Sequence, residues 1–311
     1  MQMRRLGNTG IDIAPLVFGG NVFGWTIDKQ TSFAILDAFL EAGFNAIDTA
    51  DVYSIFAPGN KGGESETIIG EWMQERGVRS RVVIITKFGL EMGPGKKGLS
   101  RNYAAAACEA SLRRLRTDYI DVYLSHRADP NTAIAETLEG FAALKAAGKI
   151  RHAGCSNYTA GELAAALAEA GEGKARYEVV QPHYNLVHRD EYEGALEEVC
   201  LANGLGVIPY FSLASGFLTG KYRRQADLGE NARSGMAAGY VNAEGLKVLG
   251  AVDAVAARHK ATPAQVALAW LAARPSVSAP IASATSVKQL NDIMGSAKLT
   301  LTPEDLGILG G

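Results

Sequence analysis

Cysteine is scarce in this chain of 311 residues: Cys108, Cys155 and Cys200 stand far apart and form no C-x-x-C pair. That excludes a disulfide-stapled secreted scaffold and leaves reduced, buried thiols as the plain reading. No apolar run is long enough to cross a bilayer. The opening stretch, Met1 to Gly10, carries charge with no apolar segment behind it, so no signal peptide is expected. An excess of one charge is missing too. Thirty-one Lys and Arg oppose 33 Asp and Glu for a net charge of -2, with no basic stripe, which argues against a nucleic-acid partner. The five histidines, His126, His152, His183, His188 and His259, show no H-x-H or H-E-x-x-H spacing. No metal site is therefore expected, and a metal-dependent barrel hydrolase is set aside. The expectation is a cytoplasmic chain with no membrane partner; assembly into a homo-oligomer is left open.

What is present can bury a large core. Hydrophobic residues make up 47% and charged residues 21%, which argues against disorder. Short β-branched runs alternate with Ala-, Leu- and Glu-rich stretches of helical period. Strands are expected at 15–19, 45–48, 82–87, 119–124, 150–155, 178–181, 206–211 and 278–282. Helices are expected at 31–42, from 63–66 onward, at 102–115 and 132–147, and around 160–170 and 190–203. Alternating strands and helices specify βαβ units and a parallel sheet. Eight such units favour a closed (β/α)8 TIM barrel, an α/β fold forming one domain over 1–311. The alternative, an open Rossmann sheet, calls for G-x-G-x-x-G after its first strand. Here the first strand runs into Phe18-Gly19-Gly20-Asn21-Val22-Phe23-Gly24-Trp25, which does not fit. Two connections, 88–100 and 212–243, are longer than usual, and read either as lids over a ligand or as surface loops.

Four ionisable residues fall at or just beyond the C-terminal ends of three successive strands: Asp48 with Tyr53, Lys87, and His126. One Asp at a strand end ordinarily caps a turn, one Lys or Tyr on a loop is ordinarily solvated, and one His ordinarily satisfies a hydrogen bond. Four at one structural level are a different matter, because parallel strand ends converge on one rim of a barrel. A carbonyl accepting hydride needs a proton at its oxygen. Tyr53 can give it, an ammonium at Lys87 would make the phenol more acidic, Asp48 can hold the lysine, and His126 can orient the carbonyl oxygen.

At these residues the chain resembles the aldo-keto reductase superfamily, nearly end to end. Asn45 to Tyr53, N-A-I-D-T-A-D-V-Y, is similar to the F-x-D-T-A-x-x-Y signature, and Gly62-Gly63-Glu64-Ser65-Glu66 to the G-x-S-E helix start. Asp121 to Pro130 resembles the segment carrying the catalytic histidine. Gly148-Lys149-Ile150-Arg151, Gly154-Cys155-Ser156-Asn157 and Gln181-Pro182-His183-Tyr184-Asn185 match further motifs in the same order. The resemblance implies an NAD(P)H-dependent reductase of small-molecule carbonyls, with Asp48, Tyr53, Lys87 and His126 as its catalytic tetrad. Ser156, Asn157 and Gln181 would hold the nicotinamide carboxamide, and Tyr210 would stack on its ring. Phe211, Ser212, Leu213, Ser215, Gly216 and Lys221 would form a pyrophosphate loop; Gly20 and Asn21 join the cofactor residues. Ser283, Thr285, Gln289 and Asp292 would lie at the adenosine phosphate.

Many members place Lys and Arg where this chain has Ser283 and Gln289, while other branches use Ser or Thr and Gln. Lys288 adds a charge there. The cofactor implied is NADP (as NADPH), with NAD use left open. Phe23, Trp25, Phe56 and Phe88 are the candidate substrate-pocket aromatics and favour an apolar or mixed carbonyl. A second function stays open: a nucleotide-sensing or interaction subunit, like the β-subunits of potassium channels that share the scaffold.

Overall fold

The β-branched runs are buried on both faces, as a parallel sheet sandwiched between an inner and an outer core requires. In the computed structural model, which describes residues 1–229 and 232–310, eight parallel strands form one sheet. They are β1 (Val17–Gly19), β2 (Ala46–Asp48), β3 (Val83–Phe88), β4 (Ile120–Ser125), β5 (Ile150–Ser156), β6 (Tyr177–Gln181), β7 (Gly206–Val207) and β8 (Ile281–Ala282). From β1 to β7 each pairs with the next in sequence, and β8 pairs with β1. A parallel bridge between Val207 and Val277 and a bond from Ile281 N to Pro209 O close the circle. The chain is a (β/α)8 barrel.

Side-chain parity divides the core in two. Ala46, Val83, Ile85, Val122, Leu124 and Val179 fill the barrel, joined by Leu6 and Ile13 of an N-terminal hairpin that plugs the end where the strands start. The alternate residues, such as Ile84 and Tyr123, face the surrounding helices. These are α1 (Lys29–Glu41), α2 (Glu64–Arg76), α3 (Arg101–Leu115), α4 (Ile134–Ala146), α5 (Ala160–Glu169), α6 (Ala195–Ala202), α7 (Ala243–His259), α8 (Pro263–Ala273) and, after β8, α9 (Val287–Met294) and α10 (Pro303–Ile308). No helix among the described residues is long and apolar enough to cross a membrane. Two glycines mark close approaches. A Cβ on Gly154 would sit 2.3 Å from Val179 O, and one on Gly70 would sit 2.2 Å from Arg114 O.

The last two strands are shorter than the sequence suggests. Expected at 206–211 and 278–282, they pair regularly only over Gly206–Val207 and Ile281–Ala282. Pro209 and Pro280 carry no N–H for the ladder, although both carbonyls accept, from Ile281 N and Val17 N. The helix expected from 190 starts at Ala195, because Gly194, at φ 86°, breaks the chain direction just before it. The long connection 212–243 contains a 3₁₀ segment at Ala214–Thr219; Glu230 and Asn231 within it lie outside the described residues. The other, 88–100, folds back on itself through Gly98 N to Gly89 O and is pinned by Leu99 N to the Asp129 carboxylate.

Candidate active site

Parallel strands deliver their C-terminal ends to one rim, and the register fixes who meets there. Asp48 closes β2, Lys87 is one residue short of the end of β3, and His126 follows β4. Lys87, fully buried, places its Nζ 2.7 Å from Asp48 Oδ1, 2.7 Å from the Thr49 carbonyl and 3.0 Å from the Tyr53 hydroxyl oxygen. Three acceptors satisfy the three donors of an ammonium. Tyr53 in turn donates to Asp48 Oδ2 across 3.4 Å, and the ring of His126 stands edge-on to it, 6.1 Å between centroids. Tyr53 reaches the rim on a tight turn: Ser54 adopts φ 76° and donates to the Phe23 carbonyl, and Asn60 donates to the carbonyls of Ser54 and Gly24.

The electrostatics correct one expectation. Burial, then the Asp48 carboxylate, hold the Tyr53 phenol well above its ordinary pKa, whereas a lysine neighbour was expected to lower it. Desolvation of the phenolate outweighs the ammonium 3.0 Å away. Burial also lowers the Lys87 pKa, against the pull of Asp48. His126 lies well below the usual imidazole range, from burial first and then Lys87 and Arg127, and is neutral near pH 7. Its Nδ1 is buried without a partner.

A chain of hydrogen bonds runs along the rim from there. Gln181 Nε2 donates to Asp48 Oδ1 at 2.8 Å, and Ser156 donates to the Gln181 carbonyl at 2.9 Å. Asn157, in the left-handed region at φ 56°, donates to Ser156 and to the His126 carbonyl, and accepts from the Tyr210 hydroxyl at 2.6 Å. The Tyr210 ring stacks on His183, 5.3 Å between centroids. Beyond it Phe211, Ala214 and Ser215 adopt positive φ, a concentration of backbone strain, followed by Gly216, for which a positive φ costs little. Ser212 is buried on the Pro209 carbonyl, Leu213 packs on the core, and Lys221 lies over the Tyr222 ring.

Other predicted residues are brought together in smaller groups. Ser283 donates to Asn21 Oδ1 at 2.6 Å, and Ser65 donates to the Gly20 carbonyl. Gln289 Oε1 accepts from both the backbone and hydroxyl of Thr285 at the start of α9. Asp292 stands apart from them: its Oδ1 accepts from Thr262 and Gln265 and ties α9 to α8. Two pocket aromatics are core instead. Phe23 stacks on Phe18, Phe88 stacks on Tyr123, and both are fully buried. Phe88 falls on the helix-facing parity of β3, opposite to Lys87. Trp25 and Phe56 pack edge to face, 5.6 Å apart, with Phe56 62% exposed.

The profile of the aldo/keto reductase family matches residues 15–310. This chain belongs to the aldo/keto reductase family. An aldo-keto reductase of Fusarium vanettenii is 31% identical over 97% of this chain and 88% of its own length. A probable voltage-gated potassium channel subunit beta of Oryza sativa is 33% identical over 98% and 94%. An uncharacterized 11.2 kDa protein of Pseudescherichia vulneris is 62% identical over 93 residues, 30% of this chain and 90% of its own length. Membership supports an oxidoreductase activity for the chain.

Behind the rim, this aldo/keto reductase buries a group that the sequence reading passed over. Glu66 of α2, fully buried, accepts from the Thr86 hydroxyl at 2.6 Å and pairs with Arg114 at 2.7 Å. Asp51, 2% exposed, has one carboxylate oxygen without a partner. Burial, then Glu66, push its pKa up to about 8. The G-x-S-E start and the Asp51 in the D-T-A-D-V-Y run were visible in the sequence, but not that they meet. A carboxyl with a raised folded pKa favours folding when protonated, so its contribution is full below about pH 4 and is lost as pH rises toward about 8. Asp51→Asn is expected to raise the unfolding free energy near pH 8 by on the order of 1–3 kcal/mol and to flatten its pH dependence below that. Urea titrations across that range check it; an unchanged slope would count against a protonating Asp51.

Proposed function

We propose that this aldo/keto reductase is a cytoplasmic enzyme that uses NADPH to reduce an aldehyde or ketone to an alcohol, with Tyr53 as the general acid. The observation that carries this reading is the Tyr53 hydroxyl 3.0 Å from the buried Lys87 ammonium, which itself rests on Asp48. Bound NADPH would supply the hydride. Tyr53 holds its proton through the neutral range, since its pKa lies above the ordinary phenol value. The alkoxide oxygen formed by reduction is far more basic than a phenolate, so proton transfer from Tyr53 remains downhill. Lys87 then stabilises the phenolate left behind, where water is excluded. Neutral His126, with its Nδ1 unpartnered, supports a role in orienting the carbonyl oxygen.

The residues fit the dinucleotide. Tyr210 offers an aromatic face, and Asn157, Ser156 and Gln181 supply amide and hydroxyl groups for the carboxamide. The left-handed residues Phe211, Ala214, Ser215 and Gly216 are the sort of backbone that turns N–H groups toward an anion, with Lys221 following. NADP over NAD is supported by exposed Lys288, which adds charge for a 2′-phosphate beside Thr285 and Gln289, themselves bonded to each other. Trp25 and Phe56 are the aromatics available to an apolar or mixed carbonyl.

A panel of aldehydes, ketones, sugars and pyridoxal, run with NADPH and NADH in parallel, tests the reading. Carbonyl-dependent oxidation is expected, faster with NADPH. The likeness to a probable potassium channel subunit beta favours a second reading, a dinucleotide-binding subunit with little turnover. Tight NADPH binding with no turnover on any carbonyl would select that one.

A further inference from the structure

On the loop between β6 and α6 two imidazoles lie face to face. The rings of His183 and His188 are 3.7 Å apart and 14° from parallel. His183 Nε2 is buried without a hydrogen-bond partner. Glu191 brings an oxygen to 3.2 Å from His188 Nε2, and one ligand atom from each of the three residues lies within 4.8 Å of the others. A buried nitrogen left unpaired, as at His183, is unfavourable, and protonating both rings would place two cations in contact. A divalent cation removes both difficulties at once.

The loop is built to hold this arrangement. Asn185 and His188 exchange backbone hydrogen bonds at 3.1 Å in both directions, closing a tight turn. The buried Asn185 side chain fixes that turn through Val187 N and the Phe211 carbonyl. Glu191 is exposed, so its carboxylate can swing inward. Around a tetrahedral zinc with bonds of about 2.0–2.2 Å, ligand atoms stand roughly 3.3 Å apart. Closing from 4.8 Å to that spacing needs the two rings, now 14° from parallel, to turn about their side-chain bonds so that both nitrogen lone pairs face the ion. Two imidazoles and a carboxylate suit zinc and its neighbours and disfavour magnesium and calcium, which want oxygen.

We infer that His183, His188 and Glu191 form a binding site for a zinc-type divalent cation, with a fourth position open to solvent. The spacing, H-x4-H-x2-E, belongs to none of the metal motifs sought in the sequence, which led to the expectation of no metal. The site is separate from the Tyr53 group, and its His183 ring backs the half-buried ring of Tyr210. An ion there would lock the support on which Tyr210 leans.

The test is a titration of the intact, chelator-treated protein with Zn2+ against a chromophoric competitor. It is run on wild type, Glu191→Gln, His188→Ala and His152→Ala; His152 pairs with Glu178 elsewhere on the surface. About one ion per wild-type chain is expected, with affinity falling at least about tenfold in Glu191→Gln and His188→Ala and unchanged in His152→Ala. Equal uptake by wild type and Glu191→Gln, no uptake by wild type, or a loss confined to His152→Ala would overturn the site. Since Glu191 is exposed, its variant decides the matter even if His188→Ala fails to fold.

Discussion

Tyr53→Phe is expected to lose carbonyl reduction by at least about 10²-fold while binding NADPH as wild type does. The change removes one oxygen and little else. Lys87 keeps its bonds to Asp48 and the Thr49 carbonyl, and the ring remains beside His126. A fall in kcat with an unaltered dinucleotide dissociation constant separates loss of the proton donor from loss of the site. The pH profile adds an independent check. With Tyr53 held above its usual value and His126 well below its own, neither group changes protonation in the neutral range. The profile of kcat/KM should therefore show no limb from either group between about pH 7 and about pH 9, and its alkaline limb should come from Lys87, whose pKa burial lowers. Near-normal turnover in the variant would remove Tyr53 from the role.

Lys87→Met should do more damage, to stability as well as to turnover. Lys87 and Asp48 are 0% and 2% exposed, so the substitution strands a carboxylate in the interior with Gln181 and Tyr53 as its remaining donors. Breaking a buried pair from one side costs about 3–5 kcal/mol. Asp48→Asn added to Lys87→Met removes the stranded charge and is expected to recover part of that loss. It should not recover activity, because no cation is left to stabilise a Tyr53 phenolate. Urea unfolding of the single and double variants reads the first effect, and steady-state rates the second. A double variant no more stable than the single one would mean the pair is not what holds this part of the rim.

The barrel was legible because its strands are uninterrupted apolar runs separated by helical periods. β3, expected at 82–87, forms at Val83–Phe88. Legibility failed where the backbone departs from regular pairing, at the prolines of the seventh and eighth strands and at Gly194. The four residues at the strand ends were readable for a related reason: position along a parallel strand sets height on the rim. Height does not say which way a side chain points. Phe88 was misplaced for that reason, although it shares parity with outward-facing Ile84, and Lys87 shares parity with inward-facing Ile85. The bond from Gln181 to Asp48 spans 133 positions, and no local pattern announces it. Nor does spacing reveal that burial outweighs a neighbouring ammonium at Tyr53, since desolvation depends on everything packed around the phenol.

The seam where β8 meets β1 has a consequence for how the molecule comes into being. On a ribosome β1 emerges before the other seven strands; β2 soon joins one of its edges, but the other must wait for β8 until residues 277–282 have followed. Until residues 277–282 arrive, β1 and β7 are bare edges of an unclosed sheet, and Asn21 lacks the Ser283 that it later meets. The rim is thus completed only by the eighth strand, so a chain cut short before it has no finished ring of strand ends on which to assemble chemistry.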